Sequence, residues 1–103
     1  MHLKPKVMMP SGLVKTALKG ATTPENWKKF VFELKGTCRN AIDRRNCERM
    51  LAVIELAEKH NVEYINAGVH RIGGSHDKYI EFEMNFLNPD DEFNFNQGLK
   101  DIG

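Results

Sequence analysis

One hundred and three residues, 41% hydrophobic and 28% charged, fit a single domain long enough to bury a core without metal or disulfide staples. Eight Gly and four Pro are too few for a low-complexity chain, the apolar fraction is too high for intrinsic disorder, and no stretch approaches the roughly 18 uninterrupted apolar residues of a membrane helix. The formal charge is only +1, yet a cut after Met50 separates eleven Lys or Arg against four acids (net +7) from four against ten (net −6). Such a split points either to charged surfaces that meet partners or to halves that fold against one another and screen the field.

The first ten residues place Lys4 and Lys6 ahead of only Val7, Met8 and Met9, far short of a secretory apolar stretch, so a cytoplasmic protein is expected. A short strand fits residues 3–9, and Ser11 can cap one or two helical turns running to Leu18 and ended by Gly20.

Thr22, Thr23, Pro24, Glu25 and Asn26 form a helix start, with Thr23 accepting a free amide and Pro24 in the first turn. Trp27, Phe30, Val31 and Leu34 then recur at helical spacing as one apolar stripe, and Gly36 is expected to supply a left-handed exit. Phe32 falls outside the stripe, on the flank that carries Lys28, Lys29 and Lys35.

A longer helix is expected from Thr37 or Asn40 to His60, with Asn61 leaving it. Its apolar side gathers Ile42, Met50, Val53, Ile54 and Ala57, edged by Cys47 and Leu51, while Arg44, Glu48, Glu55 and Lys59 take the far side. Asn46 interrupts the apolar arc, so either it is buried with partners or the helix breaks near Arg45 and Asn46 caps a new one. A continuous helix between Cys38 and Cys47 would hold them too far apart for a bridge, and their spacing is not that of a zinc or thioredoxin motif. Two free, buried thiols are expected. Cys47 beside Arg44 and Arg45 would have a lowered pKa only if exposed.

From Val62 the pattern alternates, giving strands at 62–72 and 78–87 joined through Gly73, Gly74, Ser75, His76 and Asp77, with a bulge expected at Gly68. In the second strand Ile80, Phe82, Met84 and Phe86 point to the core, and Tyr79, Glu81, Glu83 and Asn85 point away. After Asn88 and Pro89 come Asp90, Asp91 and Glu92, and then Phe93 and Phe95 alternate with Asn94 and Asn96. This tail is expected either as a third, edge strand or as a segment that a partner orders.

The expected architecture is α+β: two helices packed on a small antiparallel sheet built around the C-terminal hairpin, in one domain, with residues 1–20 and 88–103 the candidates for flexible ends. The core should hold Trp27, Phe30, Val31, Leu34, Met50, Ile54, Ile80, Phe82, Met84 and Phe86.

Chemistry-bearing motifs are sparse. His70, His76 and Asp77 are the sole concentration of His with Asp, where a metal site could be imagined, but zinc needs at least three fixed ligands and a solvent-facing hairpin turn explains them as well. No nucleophile elbow and no phosphate-binding glycine motif is present, so no catalysis and no cofactor are expected. The sequence favours a small interaction protein, a regulator or inhibitor, whose Asp90, Asp91, Glu92, Phe93 and Phe95 engage a protein partner. Because acids imitate phosphate, a nucleic-acid-handling machine is one such partner. The alternative is a nucleic-acid-binding domain using Lys28, Lys29, Phe32, Lys35, Arg45 and Arg49, since cations neutralise phosphates and an exposed ring stacks on bases.

Overall fold

A computed structural model of the chain describes residues 2–3, 6–8, 21–71 and 78–102. Its elements run β1 (His2–Leu3), β2 (Lys6–Met8), β3 (Ala21–Thr22), α1 (Pro24–Gly36), α2 (Ala41–Lys59), β4 (Tyr64–Arg71), β5 (Lys78–Asn85) and α3 (Pro89–Ile102). The fold is α+β, as the periodicity predicts, with one more helix than expected. The turns expected from Ser11 to Gly20 and the Gly73–Asp77 loop lie outside the described residues, as does the side chain of Ile80.

Local chemistry explains the helix boundaries. Thr23 adopts an extended backbone and its hydroxyl accepts the Asn26 amide at 3.3 Å, so the orphan donors of the first turn of α1 begin to be satisfied. At the other end the expected left-handed exit at Gly36 is absent. Gly36 stays helical, and Thr37 closes the turn by giving both its amide, at 3.0 Å, and its hydroxyl, at 2.7 Å, to the Leu34 carbonyl. A Cβ at Gly36 would meet nothing within 4 Å. Gly36→Ala should therefore stabilise the fold by roughly 0.5–1 kcal/mol, read as a higher urea midpoint at unchanged slope.

Asn40 starts α2: its side-chain oxygen accepts the Asp43 amide at 2.8 Å and its side-chain amide donates to the Asp43 carboxylate at 3.0 Å. The helix then runs unbroken to Lys59, so Asn46 does not cap a second helix and sits half-buried within the first. Asn61 takes a left-handed backbone, φ 61°, and lets the Val62 amide return to the Ala57 carbonyl at 3.1 Å. Ile42 departs from expectation, being 74% exposed at the entrance of α2 rather than in its apolar arc.

The sheet runs in the order β1, β5, β4, β3, all antiparallel, with β2 also on β5. β4 and β5 pair continuously from Tyr64 with Asn85 to Arg71 with Lys78. Gly68 sits opposite Glu81 inside that ladder, so the expected bulge does not form. The N-terminal strand is present in two short pieces, and both keep one register on β5, His2 opposite Asn85 and Lys6 opposite Glu81.

The core forms where the α1–α2 hairpin lies on the sheet. Trp27, Val31 and Leu34 of α1 meet Cys47, Met50, Val53, Ile54 and Ala57 of α2 over Ile65, Phe82, Met84 and Phe86, and Phe30 packs at the margin. Trp27 fixes the layer spacing by donating its ring N–H to the Ile65 carbonyl at 3.0 Å and standing edge-on to Phe82, centroids 5.4 Å apart.

Residues 89–102 form a helix rather than an edge strand. Asn88 caps it, accepting the Asp90 amide on its side chain at 2.9 Å, Pro89 takes the first helical position, and the acids of the first turn favour the positive helix end. Phe95, Leu99 and Ile102 face inward, with Phe95 fully buried against Phe86 at 5.2 Å. A Cβ on Gly98 would come within 2.8 Å of a Leu56 methyl, so this glycine permits the close approach of α3 to α2.

Candidate functional site

The basic flank of α1 is set by helical geometry: with 3.6 residues per turn, the stripe of Trp27, Val31 and Leu34 turns Phe32 and Lys29 outward. Phe32 is 69% exposed, as the sequence suggests. Its surroundings are not a uniform cationic field. Lys28 donates to Glu58 and Lys35 approaches Glu48 at 3.4 Å, both across the α1–α2 seam. The hydrogen bond to Glu58 is the main reason the Lys28 ammonium is held above its ordinary pKa. The grooves on either side of Phe32 are lined by Lys28, Lys29, Lys35 and Arg44 together with Glu25, Glu33, Glu48 and Glu55. Four cations meet four acids, three of these acids from the same basic half of the chain, so this flank is mixed in charge, and only Glu55 and Glu58 bring the acidic half to it.

Arg45 and Arg49 are exposed on α2, and the helical period turns them roughly a quarter to a third of a turn from Arg44 and Glu48, which line a groove beside Phe32. Arg45 joins Ala41, Ile42 and Asn46 around a shallow depression near the start of the helix. The six residues proposed from sequence for nucleic acid therefore form two groups.

The acidic segment is built differently. The cap at Asn88 and the burial of Phe95 seat α3 on the core, and the period of 3.6 then divides the five predicted contact residues. Phe95 is inside. Glu92 is nearly buried, Asp91 is half-buried, and Asp90 and Phe93 face out, Phe93 with 62% of its surface exposed. Pro89, Glu92, Phe93 and Asn96 line a shallow groove along this face. Leu87, which sequence reading left within the second strand, is 79% exposed at the turn into α3. Two large apolar side chains thus stand outside the core within six positions, interleaved with acids.

Cys38 and Cys47 are free and buried, as expected, but the geometric reason expected for it fails. The helix is interrupted at residues 37–40, and this turn folds Cys38 back so that the two sulfurs lie 3.6 Å apart. Cys38 also donates weakly to the Leu34 carbonyl at 3.4 Å. Burial, reinforced by the Cys38 hydrogen bond, pushes the Cys47 thiol up from 9.0 to about 12, which reverses the direction that its arginine neighbours suggest.

His76 and Asp77 lie outside the described residues, as does the side chain of His70. Among the described residues no group of three or more His, Cys, Asp or Glu side chains is placed to hold a metal ion, and no helix is long and apolar enough to cross a membrane.

Comparison with protein-family models, with curated proteins and with solved structures returns no match to this chain. Functional inference therefore rests on surface chemistry.

Proposed function

We propose that this protein is a small non-enzymatic regulator that binds a protein partner through the start of α3. The observation that carries this reading is the exposure of Phe93 and Asp90 on a helix whose other face is anchored by Phe95, with Leu87 exposed at the turn that leads into it. An exposed aromatic on a fixed helix loses little conformational freedom on binding, which favours it as an anchor. The acids around it favour a basic partner surface, of the kind that otherwise holds phosphate, and suppress acidic ones. The pairing of Lys28 with Glu58 and of Lys35 with Glu48 disfavours the nucleic-acid alternative on α1. Two free thiols in the core support a reducing, cytoplasmic setting.

The test uses the whole chain as bait and compares it with a Leu87→Ala, Phe93→Ala double variant and a Lys28→Ala, Lys29→Ala, Lys35→Ala triple variant. The double variant should keep the wild-type melting temperature to within a few degrees and bind the captured partner at least about tenfold more weakly by calorimetry. The triple variant should bind it as wild type does. Fluorescence anisotropy with labelled single- and double-stranded DNA and RNA should show no tight binding near physiological salt. Tight, salt-sensitive binding lost in the triple variant would overturn the proposal in favour of nucleic acid.

A further inference from the structure

We infer that Cys38 and Cys47 form an oxidisable dithiol, a modification site at which a hydroperoxide converts two core thiols into an intramolecular disulfide. The sulfurs are 3.6 Å apart, so bond formation at about 2.05 Å requires a closure of about 1.5 Å. The two partners differ in freedom. Cys47 is fixed in α2 and fully enclosed, whereas Cys38 sits in the short connection between α1 and α2 with 9% of its surface exposed. The connecting residue is therefore the one outside either helix and the one of the two that keeps some contact with solvent. Packing alone does not require two sulfurs in contact, since Ala or Val fills such a site as a small hydrophobe.

The order of events follows from the same asymmetry. Cys38 loses its proton to solvent, and its thiolate attacks the peroxide, breaking the O–O bond to give a Cys38 sulfenic acid and, after protonation of the leaving oxygen, water or an alcohol. The Cys47 sulfur then attacks the Cys38 sulfur, the S–O bond breaks, and the hydroxide leaves as water with the Cys47 proton. Two thiols have lost two electrons and the peroxide has gained them. Burial and the Cys38 contact keep Cys47 protonated at neutral pH, with Asp43 reinforcing that state and Lys35 opposing it, so the attack on peroxide falls to Cys38 and Cys47 gives up its proton only to the departing hydroxide, as the S–S bond forms. Closure would tie the connection between α1 and α2 to the second turn of α2.

The reduced chain is treated with stoichiometric hydrogen peroxide, quenched, unfolded and alkylated with iodoacetamide, and its intact mass is measured. The expected product has lost two hydrogens, carries no alkyl group, yields tryptic peptides 36–39 and 46–49 joined to one another, and reverts with dithiothreitol. Its melting temperature should rise by roughly 5 °C or more, because the bridge restricts the unfolded chain. Cys47→Ser should stall as a sulfenic acid on Cys38, captured by dimedone, and Cys38→Ser should resist the same dose. Two alkylated thiols, oxygen adducts without a bridge, or disulfide-linked dimers in the wild-type chain would overturn the proposal. Sulfenic acid on Cys47 in the Cys38→Ser variant, with none on Cys38 in the Cys47→Ser variant, would overturn the order of attack.

Discussion

Trp27→Ala should cost about 3–5 kcal/mol, the range for removing a fully buried aromatic ring, which is a large share of the roughly 5–15 kcal/mol that holds a domain together. The expected loss is at the upper end because the ring serves three contacts at once. It fills the space between α1 and the sheet, stands edge-on to Phe30 and Phe82 with centroids 5.8 and 5.4 Å away, and donates its N–H to the Ile65 carbonyl. Alanine leaves a cavity that a helix and two strands cannot close together. Trp27→Phe separates the contributions, retaining most of the packing while removing the hydrogen bond, and should cost about 1–3 kcal/mol. Urea titration followed by circular dichroism makes the measurement, since Trp27 is the sole tryptophan and fluorescence disappears with it. A loss below about 1 kcal/mol for the alanine variant would mean that α1 is not seated as described.

Alkaline solution should destabilise the protein through Cys47. The thiol ionises near 9.0 in an unfolded chain and near 12 in the fold. Between those values the unfolded state has released a proton that the native state retains, so each pH unit removes about 1.4 kcal/mol of folding free energy. Below pH 9 both states keep the proton and the contribution is level. The measurement is the denaturant midpoint at pH 7, 9 and 10 under reducing conditions, wild type against Cys47→Ala. The variant should lose the part of the slope that belongs to this thiol. Identical slopes would mean that Cys47 ionises as readily in the fold as outside it.

The elements with strong local chemistry are legible in the sequence. Thr23 with Pro24, Asn40 as one of two starts open to the second helix, and the alternation ending at Phe86 each state a boundary or a face in a few neighbouring residues, and the structure agrees, with Asn40 the start it takes. Gly36 misled because its role as an exit depends on the residue that follows, and the Thr37 hydroxyl performs that role without a left-handed turn. The C-terminal helix was readable and was obscured by a competing period. Asn88, Pro89 and the three acids are a helix start, and Phe95, Leu99 and Ile102 keep helical spacing, but Phe93 and Phe95 two apart imitate a strand. Once the period is known, Phe93 and Phe95 separate into an exposed ring and a core ring.

Contacts between elements were less accessible. The meeting of Lys28 with Glu58 joins residues thirty apart, and it brings an acid of the C-terminal half against the basic flank of α1. Cys38 and Cys47 are nine apart along the chain, a spacing that separates them on one helix and joins them across a turn. Which of these applies depends on the interruption at residues 37–40, where Thr37 ends one helix and Asn40 begins the next.

The register that places Lys6 opposite Glu81 joins positions 75 residues apart. At the usual 5–20 residues per second, a ribosome completes the partner strand roughly 4–15 seconds after the first has been made. For that interval a β-forming segment exists with its hydrogen-bonding groups unclaimed by their native mate, long after the α1–α2 hairpin has had time to fold. Sheet closure is thus the late, non-local step of biogenesis, and the interval before it is when the nascent chain is most open to strand pairing with a neighbour.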